Sequence, residues 1–187
     1  MPYFPRLLIA AGAICSTLAL AASAPVTDLT GAVRDPFSTH SRARVFLFVR
    51  TDCPITNRYA PELQRLGQEF KSDGVDFWLV YADRAETPAS IKDHDSQYKF
   101  PGTPLRDPGH ELVKRAHATV APEAAVFDWS GVLRYHGRID DRYVDIGKAR
   151  SAAQTHDLED AIKAVLAGQA PTHAETQPIG CSLADVQ

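Results

Sequence analysis

The stretch from Arg44 to Tyr81 constrains the fold most. An apolar run, Val45-Phe46-Leu47-Phe48-Val49, stops at the polar turn Arg50-Thr51-Asp52, and Cys53-Pro54 then opens a segment in which Tyr59, Leu63, Leu66 and Phe70 recur at three- and four-residue spacing. The first run reads as a buried strand over residues 44–49. The second segment reads as a helix over 53–72, because apolar residues at the helical period mark one buried face. Asp52 suits the N-cap and Pro54 the first turn. Lys71-Ser72-Asp73-Gly74 ends that helix, and a second apolar strand fills Val75 to Tyr81.

Downstream, Thr87 to Tyr98 reads as a helix with Thr87-Pro88 as cap and first turn. A passage rich in proline and glycine holds a short strand at Thr103 to Arg106, and His110 to His117 forms another short helix. Glu123 to Phe127 and Leu133 to Ile139 read as strands joined by Asp128-Trp129-Ser130-Gly131, a turn with glycine where positive φ is tolerated. Residues 156–168 close the fold as a helix with Leu158, Ile162, Val165 and Leu166 on one face. This order describes a central mixed β-sheet flanked by helices on both faces, an α/β class. Pro25 to Arg42 is a turn-rich lead-in, and a long loop runs to residue 154.

A chain of 187 residues with 44% hydrophobic content suits one compact domain with something added at each end. The net charge of −3 is scattered, so no electrostatic footprint for nucleic acid is present. At the start, Arg6 precedes an apolar stretch from Leu7 to Leu20 and the small-residue run Ala21-Ala22-Ser23-Ala24. This reads as a secretory signal over residues 1–24, followed by a single domain over 25–187 whose last part, 169–187, is a C-terminal tail. The apolar stretch is shorter than the about 20 residues of a membrane span, so no stable span is expected after cleavage. The implied location is secreted or periplasmic. Loss of Cys15 with the signal leaves Cys53 and Cys181 in an oxidising compartment, where one bridge between them would close a loop of roughly 130 residues, worth ~4 to 5 kcal/mol by chain entropy.

Cys53 stands where a strand ends and a helix begins. Unpaired amides and the partial positive charge of a helix N-terminus favour thiolate over thiol and lower a cysteine pKa from about 8.5. With a cysteine at this turn, the element order is that of the thioredoxin-like fold. Thr119-Val120-Ala121-Pro122-Glu123 lies just before the first hairpin strand, where thioredoxin-like proteins place a cis-proline loop against the active cysteine. Thiol exchange in that fold uses C-x-x-C, but here the turn is Cys53-Pro54-Ile55-Thr56, and Thr56 cannot resolve a mixed disulfide. Escape needs an external thiol or Cys181 arriving from the tail. The peroxidase alternative is weakened because its P-x-x-x-[TS]-x-x lead is unmatched: Arg50 stands three residues before Cys53 and Phe46 seven before.

The ordered set Cys53-Pro54, Arg58-Tyr59-Ala60-Pro61-Glu62-Leu63, Ala121-Pro122-Glu123-Ala124-Ala125-Val126-Phe127-Asp128, Arg134-Tyr135-His136-Gly137-Arg138-Ile139-Asp140-Asp141 and Gly180-Cys181-Ser182-Leu183 spans nearly the whole mature chain. It resembles the peroxiredoxin-like branch of the redoxin superfamily, the alkyl hydroperoxide reductase and thiol-specific antioxidant group. The resemblance implies a thioredoxin-like fold with the cysteine at the first thioredoxin position and the peroxidase triad absent. No cofactor is expected. Cys53 at the helix start, combined with the downstream proline loop, points to a thiol–disulfide oxidoreductase. Its partners would be protein or small-molecule thiols and disulfides.

Around this core, Cys53 is expected to attack, Pro122 to shape the substrate edge and Cys181 either to resolve, to staple the tail or to ligate metal. Arg138 can steady a thiolate or simply end a strand, and Asp140 and Asp141 can bind a cation or cap the following loop. Arg106-Asp107 reads as a turn-stabilising pair or part of the site rim. A rival reading assembles Cys53, Cys181 and His136 or His173 as a copper site, since thiolates and imidazole suit that ion. A non-catalytic binding module is the third alternative.

Overall fold

A computed structural model describes residues 25–183; the expected signal segment lies outside the described residues. The elements are β1 (Ala43–Val49), α1 (Pro54–Glu69), β2 (Val75–Tyr81), α2 (Pro88–Tyr98), β3 (Thr103–Arg106), α3 (Glu111–Ala116), β4 (Val120–Ala121), β5 (Glu123–Asp128), β6 (Leu133–Gly137), β7 (Tyr143–Asp145), β8 (Lys148–Ala149), α4 (Asp157–Leu166) and β9 (Cys181–Ser182).

Five strands form the central sheet in the order β3-β2-β1-β5-β6. β1 runs parallel to β2 and β2 to β3, whereas β5 is antiparallel to both β1 and β6. The mixed sheet of the sequence reading is thus present. All seven residues of β1 are buried because the strand is central and covered on both sides. Alternation along it divides the core. Val45, Leu47 and Val49 face the layer of α1 and α4, where Tyr59, Leu63, Leu66, Leu158 and Ile162 pack. Phe46 and Phe48 face the other layer, with Leu112, Val113 and Ala116 of α3 and Leu183 of the tail. Each such side chain contributes about 1.5 to 3 kcal/mol by leaving water.

Both outer strands of the sheet have irregular chain alongside them. Thr27 and Arg106 exchange backbone hydrogen bonds of 3.1 and 2.8 Å at the β3 side. At the β6 side the His136 amide donates to the Ala174 carbonyl at 3.0 Å, and the Thr176 amide to the His136 carbonyl at 3.2 Å. Gly137, at φ 140°, permits this approach; a Cβ there would collide with the Thr176 backbone. β6 therefore ends at Gly137, two residues before the expected Ile139.

Three other expectations are revised. α1 begins after Cys53, which is itself the N-cap, and ends at Glu69. Asp52 is not available as the cap because Arg50 grips its carboxylate at 2.9 and 3.0 Å. The loop before residue 154 contains the small hairpin β7–β8. Trp129, in the turn that joins β5 and β6, is 75% exposed.

Candidate active site

The parallel β1–α1 unit delivers Cys53 to one end of the sheet. As N-cap it has extended backbone angles of φ −89° and ψ 111°, makes no side-chain cap bond and hands the helix over to Pro54. Its carbonyl accepts the first helical bond, from the Asn57 amide at 3.1 Å. The side chain is therefore not spent on capping and stands at the positive end of α1. The register that sets Phe48 of β1 opposite Glu123 of β5 brings Pro122 to the same end. The Ala121–Pro122 peptide bond is cis.

Cys53 and Cys181 form a disulfide across 128 residues of sequence, with Cα atoms 6.1 Å apart. Cys53 is fully buried and Cys181 half-buried, so the tail shields the turn cysteine. β9 pairs antiparallel with β4, placing Cys181 opposite Ala121 and Ser182 opposite Val120. The Cys53 sulfur lies 3.1 Å from the Ala121 carbonyl oxygen. Beyond the strand, the Leu183 amide donates to the Thr119 carbonyl at 3.2 Å. Arg50 donates to the Ser182 carbonyl at 2.9 Å from the opposite side.

Polar groups, among them the buried Glu86, Glu123 and Thr56, surround this junction. The Arg50 guanidinium holds the Asp52 carboxyl below the ordinary carboxylate range. Glu86 accepts the Thr51 amide at 2.7 Å, and burial pushes its carboxyl up. Glu123 is only 2% exposed. One of its oxygens takes the Thr119 and Val120 amides at 2.8 and 3.2 Å, and so braces β4. The other faces His136 Nδ1 at 3.5 Å. Thr56, at the fourth position of the cysteine turn, is fully buried and its hydroxyl has no hydrogen-bond partner among the described residues.

Sequence reasoning missed Glu86 and Glu123 as parts of the site. Glu123 had a signal, since a carboxylate at the first position of an otherwise apolar strand is out of place unless paired. Glu86 had none, because only the tertiary fold carries it to Thr51.

The other candidate residues are placed as follows. Arg138 grips Asp157 at 2.9 and 3.1 Å, where the carboxylate sits in the first turn of α4. Asp140 accepts the Tyr59 hydroxyl at 2.5 Å and the Arg142 amide at 2.9 Å. Asp141 accepts the Gln154 and Thr155 amides at 2.6 and 3.1 Å. These carboxylates brace the chain between β6 and α4. Arg106 and Asp107 act separately: the former donates to the Glu86 carbonyl at 3.1 Å, and the latter caps α3 through the amides of Glu111, Leu112 and Val113.

For the copper reading, both sulfurs are consumed by the disulfide, and His136 lies between Glu123 and Glu175. His173 is exposed. Glu62, His156 and Glu159 converge elsewhere, but Arg65 donates to both glutamates and already supplies the cation there.

Sheet order, the cysteine turn and the cis-proline loop define a thioredoxin-like fold. A family model described as AhpC/TSA matches residues 26–136, more than half of the chain. The chain belongs to the AhpC/TSA family.

No curated protein sequence matches it. Solved structures share the fold. A hypothetical protein of Sinorhizobium meliloti 1021 is similar with TM-score 0.72 and 24% identity, covering 87% of this chain and 91% of that one. An uncharacterized conserved protein from Geobacillus kaustophilus gives TM-score 0.74 and 24% identity, with 87% and 88% covered. A secreted Mycobacterium tuberculosis disulfide oxidoreductase, homologous to DsbE of E. coli, gives TM-score 0.53 and 20% identity over 78% of this chain and 96% of that one.

Proposed function

We propose that the protein is an extracytoplasmic thiol–disulfide oxidoreductase with one cysteine in the turn and its partner on the tail. The observation that carries this reading is the Cys53–Cys181 disulfide formed beside the cis-Pro122 loop. In the reduced protein, the Cys53 thiolate is stabilised at the start of α1 and attacks a substrate disulfide. Cys181 then attacks the Cys53 sulfur and releases the substrate thiol. Re-reduction begins at Cys181, the more accessible sulfur, with Cys53 leaving as the stabilised thiolate. The solved disulfide oxidoreductase of similar fold supports the same class of chemistry, and the apolar stretch before residue 25 supports secretion or export to a periplasm.

The experiment measures reduction of a model disulfide by purified reduced protein, by Cys53→Ser and by Cys181→Ser. The wild type turns over, Cys53→Ser is inert, and Cys181→Ser halts as a mixed disulfide on Cys53. Equal turnover by wild type and Cys53→Ser overturns the reading.

A further inference from the structure

The tail is held against β4 by more than its disulfide. Two paired residues, the Leu183 amide on the Thr119 carbonyl and Arg50 on the Ser182 carbonyl fix an extended backbone in one register. Every one of these contacts is made to main chain, so any extended segment can reproduce it. Two positions do depend on the side chain. Gly180 sits so close to the Ala121 carbonyl that a Cβ would collide with it, and would also crowd the Pro122 nitrogen. Leu183 is 2% exposed and enters the apolar layer that holds Phe48, Leu112 and Ala116. Ser182, between them, is exposed.

We propose that the groove along β4 reads client polypeptides as extended strands of the pattern glycine, cysteine, any polar residue, leucine, and that residues 180–183 are the resident copy of such a strand. The proposal rests on Cys53 being the exchanging thiolate, as argued above. With the protein reduced and the tail withdrawn, the client strand pairs with β4. The Cys53 thiolate attacks the client cysteine's sulfur within its disulfide. A Cys53–client bond forms while the client's other sulfur leaves as thiolate. Cys181 thiolate then attacks the Cys53 sulfur, re-forms Cys53–Cys181 and frees the client cysteine as thiolate. Two electrons pass from protein to client, and the returning tail displaces the client strand from β4.

The test uses the full chain carrying Cys181→Ser. Three octapeptides are supplied as mixed disulfides with 2-nitro-5-thiobenzoate: Gln-Pro-Ile-Gly-Cys-Ser-Leu-Ala, the same with valine for glycine, and the same with aspartate for leucine. The mixed disulfide of cysteamine with the same group is the small control. Release of the coloured aryl thiolate gives the rate at Cys53. The parent peptide reacts at least about tenfold faster than either altered peptide, the scale expected for losing one buried leucine or one close backbone fit. Adding Leu183→Asp to the protein raises the parent's rate, because the resident strand no longer competes. Rates equal within experimental error for the three peptides, or any other ranking, overturn the proposal while a reactive control leaves the oxidoreductase reading standing. A control that fails to react at Cys53 overturns both.

Discussion

Arg50 donates from its guanidinium to the carbonyl of Ser182 at 2.9 Å, so the end of the strand that delivers Cys53 also holds the neighbour of Cys181. The same side chain pairs with Asp52 and, at 3.5 Å, with Asp83, which fixes its direction. Replacing it with alanine removes a charge-assisted tether from the tail. The equilibrium for reducing Cys53–Cys181 with dithiothreitol is expected to shift toward the dithiol by roughly fivefold, equivalent to about 1 kcal/mol. Thiol labelling across a redox titration reads this directly, and an unmoved midpoint contradicts it.

Stability should also follow the bridge. Closing 128 residues of chain sets a ceiling of about 5 kcal/mol on the entropic contribution. Cys181→Ser is expected to lose about 2 to 4 kcal/mol in denaturant unfolding, and reduced wild type to behave like it. Identical midpoints for oxidised and reduced wild type would show that the bond constrains nothing.

At the β5–β6 turn the Asp128 carboxylate accepts the Ser130 amide at 2.9 Å, the Val132 amide at 3.1 Å and Arg134 at 2.7 Å. Burial pushes its pKa up, but Ser130, Arg134 and the turn amides outweigh this and bring it down to about 2. Because the folded value lies below the ordinary one near 4, the carboxylate stabilises the fold above that value. The contribution is lost as pH falls toward about 2. Asp128→Asn should therefore cost on the order of 1 to 2 kcal/mol at neutral pH, and the gap from wild type should narrow below about pH 4 and close only below about pH 2. A gap independent of pH would rule out the charge as its source.

Thr56 carries a fully buried hydroxyl without a partner among the described residues. Valine has nearly the same shape and no polar atom to leave unsatisfied. Thr56→Val is expected to stabilise the oxidised protein by about 1 kcal/mol, seen as a melting temperature higher by a few degrees. A lower melting temperature would mean that the hydroxyl is engaged after all.

Much of this arrangement is written locally in the chain. The strand, cysteine turn and helix from Arg44 to Phe70 declare themselves through apolar period and Pro54. The Asp128-to-Gly131 turn declares itself through its residues. On the expectation that a cleaved signal removes Cys15, Cys53 and Cys181 offered one pairing, although its chemistry stayed open. Other parts depend on competition between side chains. Asp52 has the right chemistry for a cap, yet Arg50 two residues earlier takes its carboxylate, and the cap passes to Cys53. The β7–β8 hairpin left no pattern to read, since Val144 and Ile146 are 40% and 73% exposed. The tail's two-residue strand is too short for any period, and its recognition rests on a single buried leucine and a single glycine.

The chain laid along β6 has a further consequence. A sheet edge with bare amides and carbonyls is a template for another molecule's strand. Residues 174–176 occupy part of that edge, and Thr27 does the same at β3. A protein shortened to end at Gly168 would present β6 uncovered. Its failure would then be growth into strand-paired assemblies, set by concentration, as much as loss of a thiol. The segment that carries Cys181 to the site is also what covers this edge of β6.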